Sequence, residues 1–84
     1  MAKVTKEQKI LSTLDLYLAA FFSLHNIPPS LEVKNGRVTF NFIVSDELYK
    51  KAVDFNSNDP VPVADYVTAI KTLRGQMLTM RGQR

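Results

Sequence analysis

Few side chains in this sequence could move a proton or attack a substrate. There is one histidine, His25, and no cysteine among 84 residues. A lone imidazole with no triad or metal partner in view reads as a helix-end cap or a packing residue. Asp15, Asp46, Glu47 and Asp65 each fall in the first turn of an expected helix, where a carboxylate opposes the positive end of the helix dipole. Without thiols there are no disulfides, thiolate nucleophiles or cysteine zinc sites. The sequence therefore assigns no catalytic residue, metal ligand or cofactor-binding residue, and the expectation is a non-enzyme. The other chemistry on offer is electrostatic. The net charge is +3, with Lys3, Lys6 and Lys9 near one end and Lys71, Arg74, Arg81 and Arg84 after the last acid. Lys34 and Arg37, expected at a hairpin tip, join Lys71, Arg74 and Arg81 as candidate phosphate contacts, with Tyr17, Tyr49 and Tyr66 as candidate stacking groups.

These groups must be carried by a small body. A chain this short buries roughly 60 to 65% of the surface its unfolded form exposes, enough for one core. Residues 1–9 read as a polar arm, 10–80 as one domain and 81–84 as a basic tail. Three lysines ahead of an apolar run invite comparison with a signal peptide, but Asp15 interrupts the run and no A-x-A-like site follows. No stretch reaches the ~18 apolar residues of a membrane span. The expected location is the cytoplasm.

The run Ser12 to His25 organises the rest. Ser12 and Asp15 have the spacing of a capping box. On a helical wheel Leu14, Tyr17, Leu18, Phe21, Phe22, Leu24 and His25 form a broad apolar side, leaving Ser12, Asp15, Ala19, Ser23 and Asn26 as a narrow stripe with Leu16 at its border. So narrow a stripe means cover on two sides, from the chain itself or from a second protomer. Asn26, which tolerates the left-handed conformation, and Pro28 and Pro29 end the helix.

Asn35-Gly36 between Val33 and Val38 is the preferred two-residue type I′ hairpin turn, because both central positions need positive φ. The register follows: Lys34 opposite Arg37, Val33 opposite Val38, Glu32 opposite Thr39 and Leu31 opposite Phe40. Leu31, Val33, Val38, Phe40 and Phe42 then share one face. A lone two-stranded hairpin is marginal in water, so that face should pack on the first helix. Its free edges could pair with a second copy into a four-stranded sheet.

Ser45 should cap a second helix with Leu48, Tyr49, Ala52, Val53 and Phe55 inward, and with Asp46–Lys50 and Glu47–Lys51 pairs outward. A third helix should start between Pro60 and Val63, with Val63, Tyr66, Ile70, Leu73, Met77 and Met80 as its buried seam. Gly75 lies opposite that seam.

Laid out as helix, hairpin, helix, helix, the chain resembles a family of small bacterial proteins defined as a domain of unknown function. Thr13-Leu14-Asp15-Leu16-Tyr17-Leu18-Ala19-Ala20, Val38-Thr39-Phe40-Asn41-Phe42 and the Val63 to Leu73 segment with Tyr66 carry the likeness over about residues 12 to 80. The family pattern often has a basic residue between the threonine and the aspartate. Leu14 stands there in this chain, so a binding role for that position does not carry over, and no activity comes with the resemblance.

The reading is thus an α+β domain with a two-stranded antiparallel hairpin packed on three helices. Its expected function is that of a non-catalytic protein-interaction module, self-associating as a homodimer or docking on another protein. Leu16, Ala19, Phe42, Met77 and Met80 are the candidate contacts. The alternative is a small nucleic-acid-binding accessory protein that uses the basic groups named above.

Overall fold

A computed structural model describes residues 9–82. Three strands and three helices follow one another as β1 (Ile10–Thr13), α1 (Leu16–Leu24), β2 (Ser30–Lys34), β3 (Arg37–Ile43), α2 (Asp46–Asn56) and α3 (Val63–Gly82). The fold is α+β, but the sheet has three antiparallel strands in the order β1-β3-β2. The expected two-stranded sheet is corrected by Ile10–Thr13, which pairs with β3 from Ile10 opposite Ile43 to Thr13 opposite Phe40. Lys9 already belongs to this ladder, since its carbonyl accepts from the Val44 amide at 2.9 Å. At the other end α3 runs on through Arg81 to Gly82, so these two residues are helix and not tail. Lys3, Lys6 and Arg84 lie outside the described residues.

The hairpin has the register its turn dictates, Lys34 opposite Arg37 through Leu31 opposite Phe40, and continues to Ser30 opposite Asn41. Asn35 and Gly36 sit at φ 53° and 79°, as a type I′ turn requires. Because β3 is central, its inward residues Val38, Phe40 and Phe42 are all buried. Its outward residues form a polar cluster: Ser12 Oγ donates to Asn41 Oδ1 at 2.7 Å, and Asn41 Nδ2 donates to Glu32 Oε1 at 2.9 Å. One cross-sheet asparagine thereby ties all three strands together.

With Ser12 in a strand, the capping box is replaced by a simpler cap. Asp15 accepts from the amides of Tyr17 and Leu18 at 3.0 and 3.2 Å, while its own amide donates to Thr13 Oγ1. The buried side of the helix differs from the expected one. Ala19, Ala20, Phe21 and Phe22 are buried in succession, whereas Leu14 and Tyr17 are about half exposed. Four consecutive buried residues require cover all round, supplied by the sheet, α2 and α3. Phe22 meets Phe42 edge-on at 4.8 Å, and Phe21 meets Phe55 of α2 at 5.5 Å. The helix closes with a Schellman motif: the Ile27 amide donates to the Phe22 carbonyl and the Asn26 amide to that of Ser23, with Asn26 at φ 66°.

α2 is capped by Ser45, whose hydroxyl accepts from the Leu48 amide at 3.0 Å. It rests on Leu48, Ala52 and Phe55, while Tyr49 and Val53 face solvent. The one ion pair among the described residues is Lys51–Asp54 at 3.6 Å. Neither expected i,i+4 pair forms among the described residues, and Lys51 reaches Asp54 in place of Glu47. In α3, Leu73 is buried, and Tyr66, Ala69, Ile70 and Met77 pack beside it. Val63 leaves the seam at 74% exposure, since it stands in the first turn, ahead of where α3 meets α1.

Candidate interaction surface

Two of the expected contact residues are removed by burial. Ala19 and Phe42 lie wholly inside the chain's own core, at 0% and 1% exposure, and have no surface to offer a partner. Leu16 packs partly against that same core. Of the two sources of cover open to the first helix, the chain itself or a second protomer, its own strands and helices supply it. Attention therefore shifts to the sheet edge and to the far end of α3, where Met77 and Met80 are half-buried.

Those two places meet. Tyr66, near the start of α3, donates its hydroxyl to the Tyr17 carbonyl at 2.9 Å. Two turns on and beyond, Met77 and Leu14 line one cleft, so α3 runs antiparallel to α1. Its opposite flank looks over β2. There Leu31 of the strand and Thr72, Gly75, Gln76, Thr79 and Met80 of the helix line an open groove of about 630 Å³. Its walls are the apolar side chains of Leu31 and Met80, and a Cβ added at Gly75 would meet nothing within 4 Å. Among the described residues no charged side chain lines it.

The strand beside this groove is a sheet edge. In a two-residue hairpin the closing pair Lys34–Arg37 exchanges both backbone hydrogen bonds, and alternation makes Glu32–Thr39 and Ser30–Asn41 the next such pairs. The Thr39 hydroxyl bond to the Glu32 carbonyl at 3.3 Å agrees with this alternation. So does the Val44–Lys9 bond, which assigns the other set of β3 backbone groups to β1. By the same alternation the N–H and C=O groups of Leu31 and Val33 point away from β3, along the outer edge of β2. Val33 is 45% exposed there.

The basic candidates divide into two places. Arg37 and Arg81 line a second cleft with Leu14, Gly36, Val38 and Met77, about 280 Å³ in volume and without a carboxylate in its lining. Lys71 and Arg74 are exposed on α3, and with Leu78 and Arg81 they recur at spacings of three and four, on one side of the helix. Lys34 projects from the hairpin tip on the outer face of the sheet. Of the candidate stacking groups, Tyr17 and Tyr49 are exposed, while Tyr66 is partly buried and engaged with Tyr17.

His25 is the C-cap of α1, and its ring stands edge-on to Phe21 at 4.6 Å. Its Nε2 is buried without a hydrogen-bond partner. Among the described residues no three His, Asp or Glu side chains gather as a metal site, and no helix is long and apolar enough to cross a membrane. The chain has no significant match among protein-family models, curated proteins or solved structures.

The sequence presents Leu31 as a core-facing residue and Gly75 as a position opposite the seam of a helix, and it does not join them. The available signal is the absence of charge at Thr72, Gly75, Gln76 and Thr79 in a helix otherwise rich in lysine and arginine.

Proposed function

We propose that this protein is a non-catalytic interaction module that binds an extended segment as an added strand on the outer edge of β2, with alternate side chains of that segment lodged in the groove under α3. The observation that carries the reading is the coincidence of a free strand edge at Leu31 and Val33 with an uncharged, partly apolar groove along the same strand. Backbone pairing supplies affinity in such a mode, and the groove supplies selection of side chains.

The test is capture of extended peptides from a phage-displayed random library. Val33→Pro removes an outward-facing amide and leaves the β2–β3 bonds in place, since proline is tolerated on edge strands. Gly75→Leu fills the groove from a position where nothing crowds the added atoms. Both variants should lose peptide capture by about tenfold or more, the worth of one or two hydrogen bonds or a buried side chain, while keeping the native circular dichroism. Equal capture by wild type and both variants would overturn the reading.

A second reading, binding to nucleic acid, is supported by Arg37 and Arg81 lining one cleft that lacks a carboxylate. There the two guanidinium groups would hold a phosphate, with Lys71 and Arg74 continuing the basic track along α3.

A further inference from the structure

The strand-addition reading leaves the occupant open, and the edge itself specifies one. We infer that the segment added to β2 is the β2 of a second copy of this chain, giving a six-stranded sheet with three strands from each copy. This inference rests on the reading above and names its partner.

The argument is one of self-complementarity. An isologous dimer places the same patch against itself about a twofold axis, so the patch must not be of one charge. Two exposed flanks of this basic protein fail that condition: the cleft of Arg37 and Arg81 and the stripe of Lys71 and Arg74 would meet their own kind. The β2 edge satisfies it. Its outward row reads Ser30, Glu32, Lys34, and reversing it in an antiparallel partner brings each lysine beside the partner's glutamate. The pairing that uses every free backbone group of Leu31 and Val33 puts Leu31 of one copy opposite Val33 of the other, with the axis at Glu32. That register also sets the two Glu32 carboxylates face to face at the axis, and Lys34 of each chain flanks Glu32 of the other diagonally, within reach of a long side chain, so that the four charges form one neutral cluster. On the inner face the axis sets the two grooves side by side. The uncharged flanks of the two α3 helices then lie on the same side of the joined sheet.

The experiment is the mass in solution, by light scattering and sedimentation, of wild type, Glu32→Lys, Lys34→Glu and the double swap E32K/K34E. Wild type should be a dimer. Each single swap makes the row of one sign and should weaken the dimer about tenfold or more, and the double swap should restore it to within about threefold. Glu32→Lys also loses the bond to Asn41, but the double swap loses that bond too, so recovery reports the charge pairing alone. Melting curves of all four keep folding separate from association. A wild type that stays monomeric to its solubility limit, yet captures displayed peptides that Val33→Pro loses, overturns the self-pairing and leaves strand addition standing. A dimer untouched by Val33→Pro, by Gly75→Leu and by both single swaps overturns the edge as the interface between copies, and equal peptide capture by wild type and Val33→Pro overturns strand addition with it. Single swaps that dissociate without rescue in the double swap overturn the charge-matched register.

Discussion

Tyr66 ties the last helix to the first through one hydroxyl, which donates to the Tyr17 carbonyl. Burial holds the phenol's pKa above its ordinary 10.0, and the nearby Asp15 charge and Tyr17 add to the effect in that order. The sign of the pH dependence follows from linkage. The folded protein resists forming the tyrosinate, so the stability contributed by this group is complete below 10.0 and is lost as pH rises from there through the folded value. Tyr66→Phe should lower stability in urea melts by about 1 kcal/mol at neutral pH, the net worth of one hydrogen bond. Its stability should also fall less steeply than wild type on the alkaline side. An unchanged alkaline limb would assign the loss to other groups.

Among the elements, α3 contains a correctable weakness. Gly75 sits in the middle of a twenty-residue helix, and nothing touches the space where a methyl group would stand. Gly75→Ala should raise stability by up to ~1 kcal/mol from helix propensity alone, read as a higher melting temperature in dilute solution. A gain in stability accompanied by weaker association would mark the glycine as kept for the groove. The elements also differ in how far they could be read from their residues. The hairpin was legible to the residue, because Asn35-Gly36 fixes turn type and register within four positions. The helix end at Asn26 and the start at Ser45 were equally local. β1 was not legible: Ile10-Leu11-Ser12-Thr13 is too short to show alternation, its partner strand lies about thirty residues on, and Ser12 before Asp15 imitates a helix cap. Ala19 and Tyr17 were misplaced between core and surface because α1 is covered by α2, α3 and the sheet together, which a single apolar face does not show. The exposure of Tyr49 and Val53 has a similar origin, since α2 is covered on one side only. The proposed interaction surface was half legible. The free strand edge and the end of α3 were visible separately, and the fold that brings them together depends on which flank of α3 faces α1.

At the scale of the whole molecule, charge is sorted by flank. One side of α3 carries Lys71, Arg74 and Arg81 and leads to Arg37, and the other side, over β2, is uncharged. The two surfaces are therefore separable by substitution. If the basic side binds DNA or RNA, Arg37→Ala with Arg81→Ala should weaken binding across sequences and reduce the slope of log affinity against log salt by about 2, near one for each phosphate no longer neutralised. The proposed self-association through β2 should be unaffected. Unaltered salt dependence in the double variant would remove the cleft from any such role. The order of the strands has a consequence for the chain as it is made. β3 stands at the centre of the sheet and is the last strand to be synthesised. While the chain leaves the ribosome, β1 and β2 each wait without a neighbour, and the apolar run of α1 is held between them. β2 meets β3 within one turn, but β1 must be recovered from the far side of a helix already made. The nascent protein thus passes through a stage with its most apolar helix uncovered, when assistance from a chaperone would count most, and vectorial synthesis delays the closure of the sheet instead of guiding it.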